Sequence, residues 1–351
     1  MSPSRSPILH TLLADAQRCA ELAGLTYVER TEGGFSRLRC GKGFRYLDDA
    51  GRPVDAATRK KLVGLVIPPA WKDVWICTDD SGHLLATGVD DRGRTQYLYH
   101  ERWREVRDLI NFYRLTEVGR VLPAIRTDVD RQLRRRQLDR PRTIGTILRI
   151  VDRLGIRIGN DVYAEENDSV GVCTLQKRHV NVRRAGIDLR FRAKSGRETE
   201  LHLDDASVAR SIRQLLTQPG RRLFSVGGSP VSASEVNDRL GELTGGVVTA
   251  KDFRTWRGTL VVFTALRKSK GDDRERHVLD AIDAAADVLG NTRTVARAHY
   301  VHPHVVETYL DGSFAERLAD APRPRIQGMS ADERALLGYL DSLLSSRQWG
   351  V

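Results

Sequence analysis

The sequence predicts an α+β protein. A small β-rich domain covers residues 1–100. A mainly helical domain with a small antiparallel sheet covers 101–320, and a linker and last helix cover 321–351. Three observations carry this reading. A chain of 351 residues is long enough for two domains of ordinary size. Between residues 25 and 100, turn residues punctuate short mixed runs, and from 101 onward the apolar period becomes helical.

The elements follow in order. Ile8, Leu12, Leu13, Ala16 and Ala20 place an amphipathic helix over 8–23. The runs 44–47, 74–77 and 96–99 read as strands, with Asp48–Gly51 and Asp79–Gly82 as hairpin turns and a helix over about 56–65. Helices are expected over 101–115 and 117–136. Pro141 is suited to open the next one, whose stripe is Ile144, Ile147, Leu148, Val151 and Leu154. Strands are expected over 171–176, 179–184, 187–193 and 198–203, because Val180/Val182 and Leu189/Phe191/Ala193 alternate. Helices then run over about 205–217, 233–243, 249–267, 274–289, 292–310 and 330–346, with Ser330 and Glu333 as a capping box for the last.

Composition narrows the function classes. A chain that is 40% hydrophobic and 29% charged is globular rather than disordered. No apolar run is long enough to cross a bilayer, and the first residues lack the apolar core of a signal peptide, so a cytoplasmic location is expected. Cys19, Cys40, Cys77 and Cys173 are scattered and read as reduced thiols, mostly in the core. A net charge of +11 suits a polyanion, with nucleic acid first and an acidic membrane surface second. Arg126, Arg131, Arg134, Arg135, Arg136, Arg140 and Arg142 crowd one stretch against Asp128, Asp130 and Asp139, which points to phosphate contact. His299, His302 and His304 are read as surface or DNA-facing imidazoles near a functional loop, rather than as a metal site.

The chemistry is suggested by Arg254, in Lys-Asp-Phe-Arg-Thr-Trp (251–256), and Tyr300, in Ala-His-Tyr-Val (298–301). Phosphodiester transfer to a tyrosine needs an in-line phenol, cations for the non-bridging oxygens, a further hydrogen-bond donor and an acid for the leaving alkoxide. No spacing rule alone establishes such a set. The segments that do so by resemblance are Gly155–Gly159, Gly171–Leu175 with Arg178–Val180, Arg192–Gly196, Lys251–Trp256, Leu289–Thr292 and Ala298–Val301. Their order resembles type IB DNA topoisomerases of the compact poxviral and bacterial branch. Ile67-Pro-Pro-Ala-Trp71 and Gly88–Tyr99 resemble that family's N-terminal β domain.

The resemblance implies a catalytic fold shared with tyrosine recombinases. It places the nucleophile at Tyr300, phosphate-holding arginines at Arg157 and Arg254, the acid at Lys194 and a phosphate-positioning donor at Asn291. Poxviral members have histidine at the Asn291 position, and asparagine donates a hydrogen bond but shuttles no proton. Around Lys194 the chain reads Lys-Ser-Gly where Lys-Asp is more usual. DNA contacts are expected from Gln96, Tyr97, Arg134, Arg135, Arg136 and Lys251, with Gln96 suited to an adenine edge. The implied partner is double-stranded DNA held in a clamp by a monomer, with no obligate protein partner, no membrane, no cofactor, no ATP and no metal. Two alternatives stay open: a tyrosine site-specific recombinase, and a catalytically silent DNA-binding protein.

Overall fold

A computed structural model describes residues 15–30, 33–41, 43–159, 170–193 and 198–345. The chain divides into two compact units, residues 1–112 and 113–351.

The first unit is built on a five-stranded antiparallel sheet in the order β2-β1-β3-β4-β5. Its strands are β1 (Gly34–Cys40), β2 (Gly43–Leu47), β3 (Lys72–Cys77), β4 (Leu84–Val89) and β5 (Thr95–Tyr99), and its helices are α1 (Ala16–Leu22) and α2 (Ala56–Gly64). Tyr46, Leu62, Ile67, Val74, Ile76 and Ala86 form the core under the sheet. Arg37 is buried and donates to the carbonyls of Ile67, Pro68 and Trp71 at 2.8, 2.8 and 3.0 Å. One guanidinium thus satisfies three carbonyls of the Pro-Pro turn and fixes it as a rigid packing element.

Helix α3 (Glu101–Leu133) runs unbroken through Pro123, where the sequence pattern predicts two helices. The second unit continues with α4 (Arg140–Leu154), strands β6 (Val180–Val182), β7 (Gly186–Arg192) and β8 (Glu198–Asp204), α5 (Ala206–Leu216) and a short hairpin of β9 (Ser225–Val226) and β10 (Ser229–Pro230). Helices α6 (Ala233–Thr244), α7 (Ala250–Lys268), α8 (Arg274–Leu289), α9 (Arg293–Tyr300), α10 (Pro303–Asp311), α11 (Phe314–Asp320) and α12 (Ala331–Ser345) complete it.

Local chemistry explains the boundaries that matter to the site. Asp139 caps α4 by accepting from the Arg142 amide at 3.0 Å, and Pro141 occupies the first turn. At the N-terminus of α7 the Asp252 carboxylate accepts from the Thr249 amide and hydroxyl at 2.7 and 2.8 Å, and Arg114 closes an ion pair on it. The three strands β6-β7-β8 are antiparallel, with Leu189 opposite Val180 and Leu201. Ile187, Leu189 and Phe191 point into the core while Arg190 and Arg192 face out.

Two further sequence expectations are corrected. Residues 171–176 form no strand: Val172–Thr174 is a 3-10 turn whose N-terminus lies against Gly159. A Cβ on Gly171 would come within 2.4 Å of Gly159 Cα, so a tertiary contact sets this conformation. The helix expected over 292–310 breaks at Val301–His302, because the residue before Pro303 is driven from helical to extended backbone.

The last helix is part of the second unit's core. Leu336, Leu337, Tyr339, Leu340 and Leu343 are buried there. Arg126 binds Asp152 at 2.9 Å and Glu333 at 2.7 Å, tying α3, α4 and the start of α12 together.

Candidate active site

Helix α7 is the backbone of the site. Its period turns Phe253, Trp256, Val262, Phe263 and Leu266 into the core together with Arg254, whose side chain is only 3% exposed. A buried guanidinium needs acceptors, and two helix ends supply them. Arg254 donates through Nη1 to Gly155 O and through Nη2 to Leu289 O, the latter at 2.8 Å. Gly155 and Gly290 end α4 and α8 in the left-handed conformation, with φ of 63° and 60°. The negative ends of two helices therefore converge on one cation.

Both chain segments that leave these ends carry site residues. Arg157 lies two residues beyond the α4 cap, and its carbonyl accepts from the Val172 amide at 2.8 Å. Asn291 follows the α8 cap, its amide bound to Ala286 O at 2.8 Å. Arg157 Nη2 donates to Asn291 Oδ1, so the carboxamide turns its Nδ2 donor away from that contact. Asn291 Nδ2 and Arg254 Nε are buried with no hydrogen-bond partner among the described residues.

Tyr300 is the last residue of α9 and half-buried. The Arg254 guanidinium carbon lies over its ring, 4.8 Å from the centroid. Burial pushes the phenol pKa up, but the charge and hydrogen bond of Arg254, then the charges of Arg157 and Lys251, outweigh burial and hold it below the usual tyrosine value. Arg254 is itself pushed down to about 10, by burial first and by the like charge of Arg157 second. It stays protonated at neutral pH. A buried and a half-buried cation facing each other, with two donors that lack a partner among the described residues, make a site that an anion would stabilise.

A cavity of about 150 Å³ borders both arginines, with Phe191, Glu198, Asp287 and Leu289 in its wall. Neither Tyr300 nor Asn291 is part of that wall.

The structure thus brings Arg157, Arg254, Asn291 and Tyr300 together, with Lys251 exposed near the phenol. Lys194 lies outside the described residues. In the first unit Gln96 donates to Asp90 Oδ2 at 2.9 Å, which fixes the orientation of its amide. Tyr97 is 53% exposed and stacks on Tyr99 at 5.9 Å.

The arginine-rich stretch is not one phosphate-facing surface. Arg126 is half-buried in its ion pairs and Arg142 is buried, the latter bonded to Ser211 Oγ at 3.1 Å and Gln214 Oε1 at 2.7 Å. Arg131 pairs with Asp128, Arg135 with Asp139 and Arg140 with Glu235. Arg134 and Arg136 are exposed without an ion pair among the described residues. His302 and His304 are buried rather than surface imidazoles, because the helix ends at Tyr300 and the chain turns inward after it. Burial and the neighbouring His304 push His302 down to about 3. The described residues contain no group of three or more potential metal ligands, and no described helix is long and apolar enough to cross a membrane. Cys19, Cys77 and Cys173 are buried, Cys40 is exposed, and none of the four forms a disulfide.

Sequence reasoning missed Gly258 and Thr259. A Cβ on Gly258 would lie 2.6 Å from Tyr300 O and 3.2 Å from Tyr300 Cβ, so only glycine lets the tyrosine's backbone sit this close to α7. A glycine inside an otherwise helical pattern was the available signal.

Residues 100–316 match the model of the eukaryotic DNA topoisomerase I catalytic core, and residues 43–90 match the N-terminal domain of bacterial DNA topoisomerase IB. The DNA topoisomerase 1B of Acanthamoeba polyphaga mimivirus is 29% identical over 308 residues, covering 82% of this chain and 92% of the relative. The DNA topoisomerase 1B of vaccinia virus (strain Western Reserve) is 22% identical over 244 residues, 66% of this chain and 74% of the relative. The DNA topoisomerase 1 of Daucus carota is 28% identical over 171 residues, 45% of this chain and 21% of the relative. With the family's core model spanning more than half of its length, the chain belongs to the type IB DNA topoisomerases.

Proposed function

We propose that this chain relaxes positively and negatively supercoiled DNA by transient cleavage of one strand through a 3′-phosphotyrosyl intermediate on Tyr300. The observation that supports this most strongly is the pairing of an anion-seeking site with a pKa-lowered phenol. Arg254 and Arg157 share a desolvated space with the orphan Nδ2 of Asn291, and Tyr300 sits against Arg254.

In the cleavage step the Tyr300 oxygen attacks the backbone phosphorus. The new O–P bond forms as the P–O5′ bond breaks, and the phenolic proton leaves to solvent. Arg157 and Arg254 hold the non-bridging oxygens as charge builds on them, and Asn291 donates a third hydrogen bond without exchanging a proton. Lys194 is assigned by resemblance to protonate the departing 5′-oxygen. The free 5′ end swivels, and its hydroxyl then attacks the phosphotyrosine, restoring the P–O5′ bond and releasing Tyr300. The phosphoryl bond is conserved throughout, so no ATP is consumed. Protein cations do the work a metal would otherwise do at the phosphate, so magnesium is dispensable for the chemistry.

DNA is held mainly by phosphate contacts, with Arg134, Arg135, Arg136 and Lys251 contributing and a monomer sufficing. Gln96 reads a base edge with an amide that Asp90 already holds, and Tyr97 packs beside it. Tyrosine recombinases use the same cleavage logic at specific sites, and we read the helical unit as sharing their catalytic fold. Trapping the covalent adduct with denaturant and mapping the nucleotide-bearing peptide tests the reading: the DNA must be found on Tyr300 through its 3′ phosphate. A 5′ linkage, or an adduct on another residue, would overturn it.

A further inference from the structure

The break between α9 and α10 frees backbone groups at the nucleophile itself. Tyr300 ends one helix, His302 precedes Pro303 of the next, and Val301 between them is extended. The Tyr300 carbonyl and the His302 amide both fall at this break, where Tyr300 is half-buried and His302 is 1% exposed, so each is held by hydrogen bonds from within the protein. A single side chain answers both. Thr259, fully buried on α7, accepts from the His302 amide at 3.0 Å and donates its hydroxyl proton to Tyr300 O at 3.3 Å. The adjacent Gly258 gives up its side chain so that this contact can close.

We infer that Thr259 is a positioning residue for the cleavage reaction: its hydroxyl fastens the backbone of Tyr300 to the same helix that carries Arg254. The inference rests on the proposed role of Tyr300 as nucleophile. Arg254 and Thr259 are five residues apart on α7, roughly 7.5 Å of rise along one rigid rod. The cation and the phenol are thereby registered by a single element. Thr259 touches no reacting atom, and its effect passes entirely through the Tyr300 backbone. In-line attack tolerates little error, and a displacement of about 1 Å costs on the order of 100-fold in rate.

The test compares wild type with Thr259→Val, which keeps the shape and removes the hydroxyl, and with Thr259→Ser, which keeps the hydroxyl. Covalent adduct formation on supercoiled plasmid is followed under single-turnover conditions at saturating protein, beside DNA affinity and thermal melting. Thr259→Val is expected to slow adduct formation by about 10- to 100-fold. Its DNA affinity should stay within about twofold, and the loss should be the same at every pH, since the charges that set the phenol's pKa are untouched. Thr259→Ser should recover most of the rate. If Thr259→Val lacks a cooperative melt, Thr259→Cys, a weak hydrogen-bond donor, serves in its place with the same expected slowing. Wild-type rates in a folded Val or Cys variant would overturn the positioning role while leaving the proposed function standing. No adduct from wild type would overturn the proposed function, and this inference with it.

Discussion

Arg254→Ala should destabilise this protein as well as silence it. Removing a buried charge from an active site often relieves strain, and that relief is present here. The depression of the Arg254 pKa to about 10, caused by burial first and Arg157 second, corresponds to roughly 3 kcal/mol against the charged form. The opposing loss is larger. The guanidinium makes charge-assisted hydrogen bonds to the carbonyls of Gly155 and Leu289, each contributing about 1.5–3 kcal/mol, and alanine leaves both acceptors buried beside an empty space. The balance is a net loss of about 2 kcal/mol. In a unit of this size that lowers Tm by about 4–8 °C. Tyr300→Phe removes only a hydroxyl from a half-buried ring and should melt within about 1–2 °C of wild type. Differential scanning calorimetry of the two variants at neutral pH separates them, with adduct formation lost in both. An Arg254→Ala protein that melts at or above the wild-type temperature would refute the bracing of two helix ends by this side chain.

Other consequences are also measurable. Lys251 is exposed and its charge helps to hold the Tyr300 pKa below the usual value. Removing a positive neighbour raises a phenol's pKa, so in Lys251→Gln the rising limb of the rate of adduct formation should move to higher pH, and added salt should shrink the difference from wild type. Burial pushes the Glu333 carboxyl up, but hydrogen bonding and the charge of Arg126 more than offset this, leaving its pKa below the ordinary value. The stabilisation it gives is therefore present above the unfolded carboxyl pKa and is lost as pH falls through the folded one. Glu333→Gln should cost about 1–3 kcal/mol at neutral pH and progressively less in acid, read from urea unfolding at several pH values. If Arg134 and Arg136 each meet a phosphate, the double Gln variant should lower the salt slope of DNA binding by about 2, with a slope unchanged from wild type as the contrary result.

Much of the helical unit could be read from local pattern. Asp139 and Pro141 mark the start of α4, and the apolar stripe from Ile144 to Leu154 gives its length. Residues 171–176 deceived because a short apolar run fits a strand equally well, while the contact that bends it, Gly171 against Gly159, joins two segments apart in sequence. The helix break after Tyr300 was signalled by Pro303, but a strong apolar period ran through it. The structural role of Arg126 was illegible for a different reason. Arg126 is neutralised by Asp152 and Glu333, the second of them 207 residues away, and a local charge count cannot see such partners. The site residues Arg157, Arg254, Asn291 and Tyr300 obey no local spacing rule, and family resemblance alone linked them beforehand. How Arg254 is held between two helix ends, and how Thr259 holds Tyr300, emerged only from the packed structure.

The most direct test of the central claim is plasmid relaxation with EDTA present and ATP absent, run on positively and negatively supercoiled DNA beside Tyr300→Phe. The account predicts that wild type relaxes both and the variant neither. Failure of wild type to relax either substrate at any salt concentration would contradict it, as would relaxation by Tyr300→Phe.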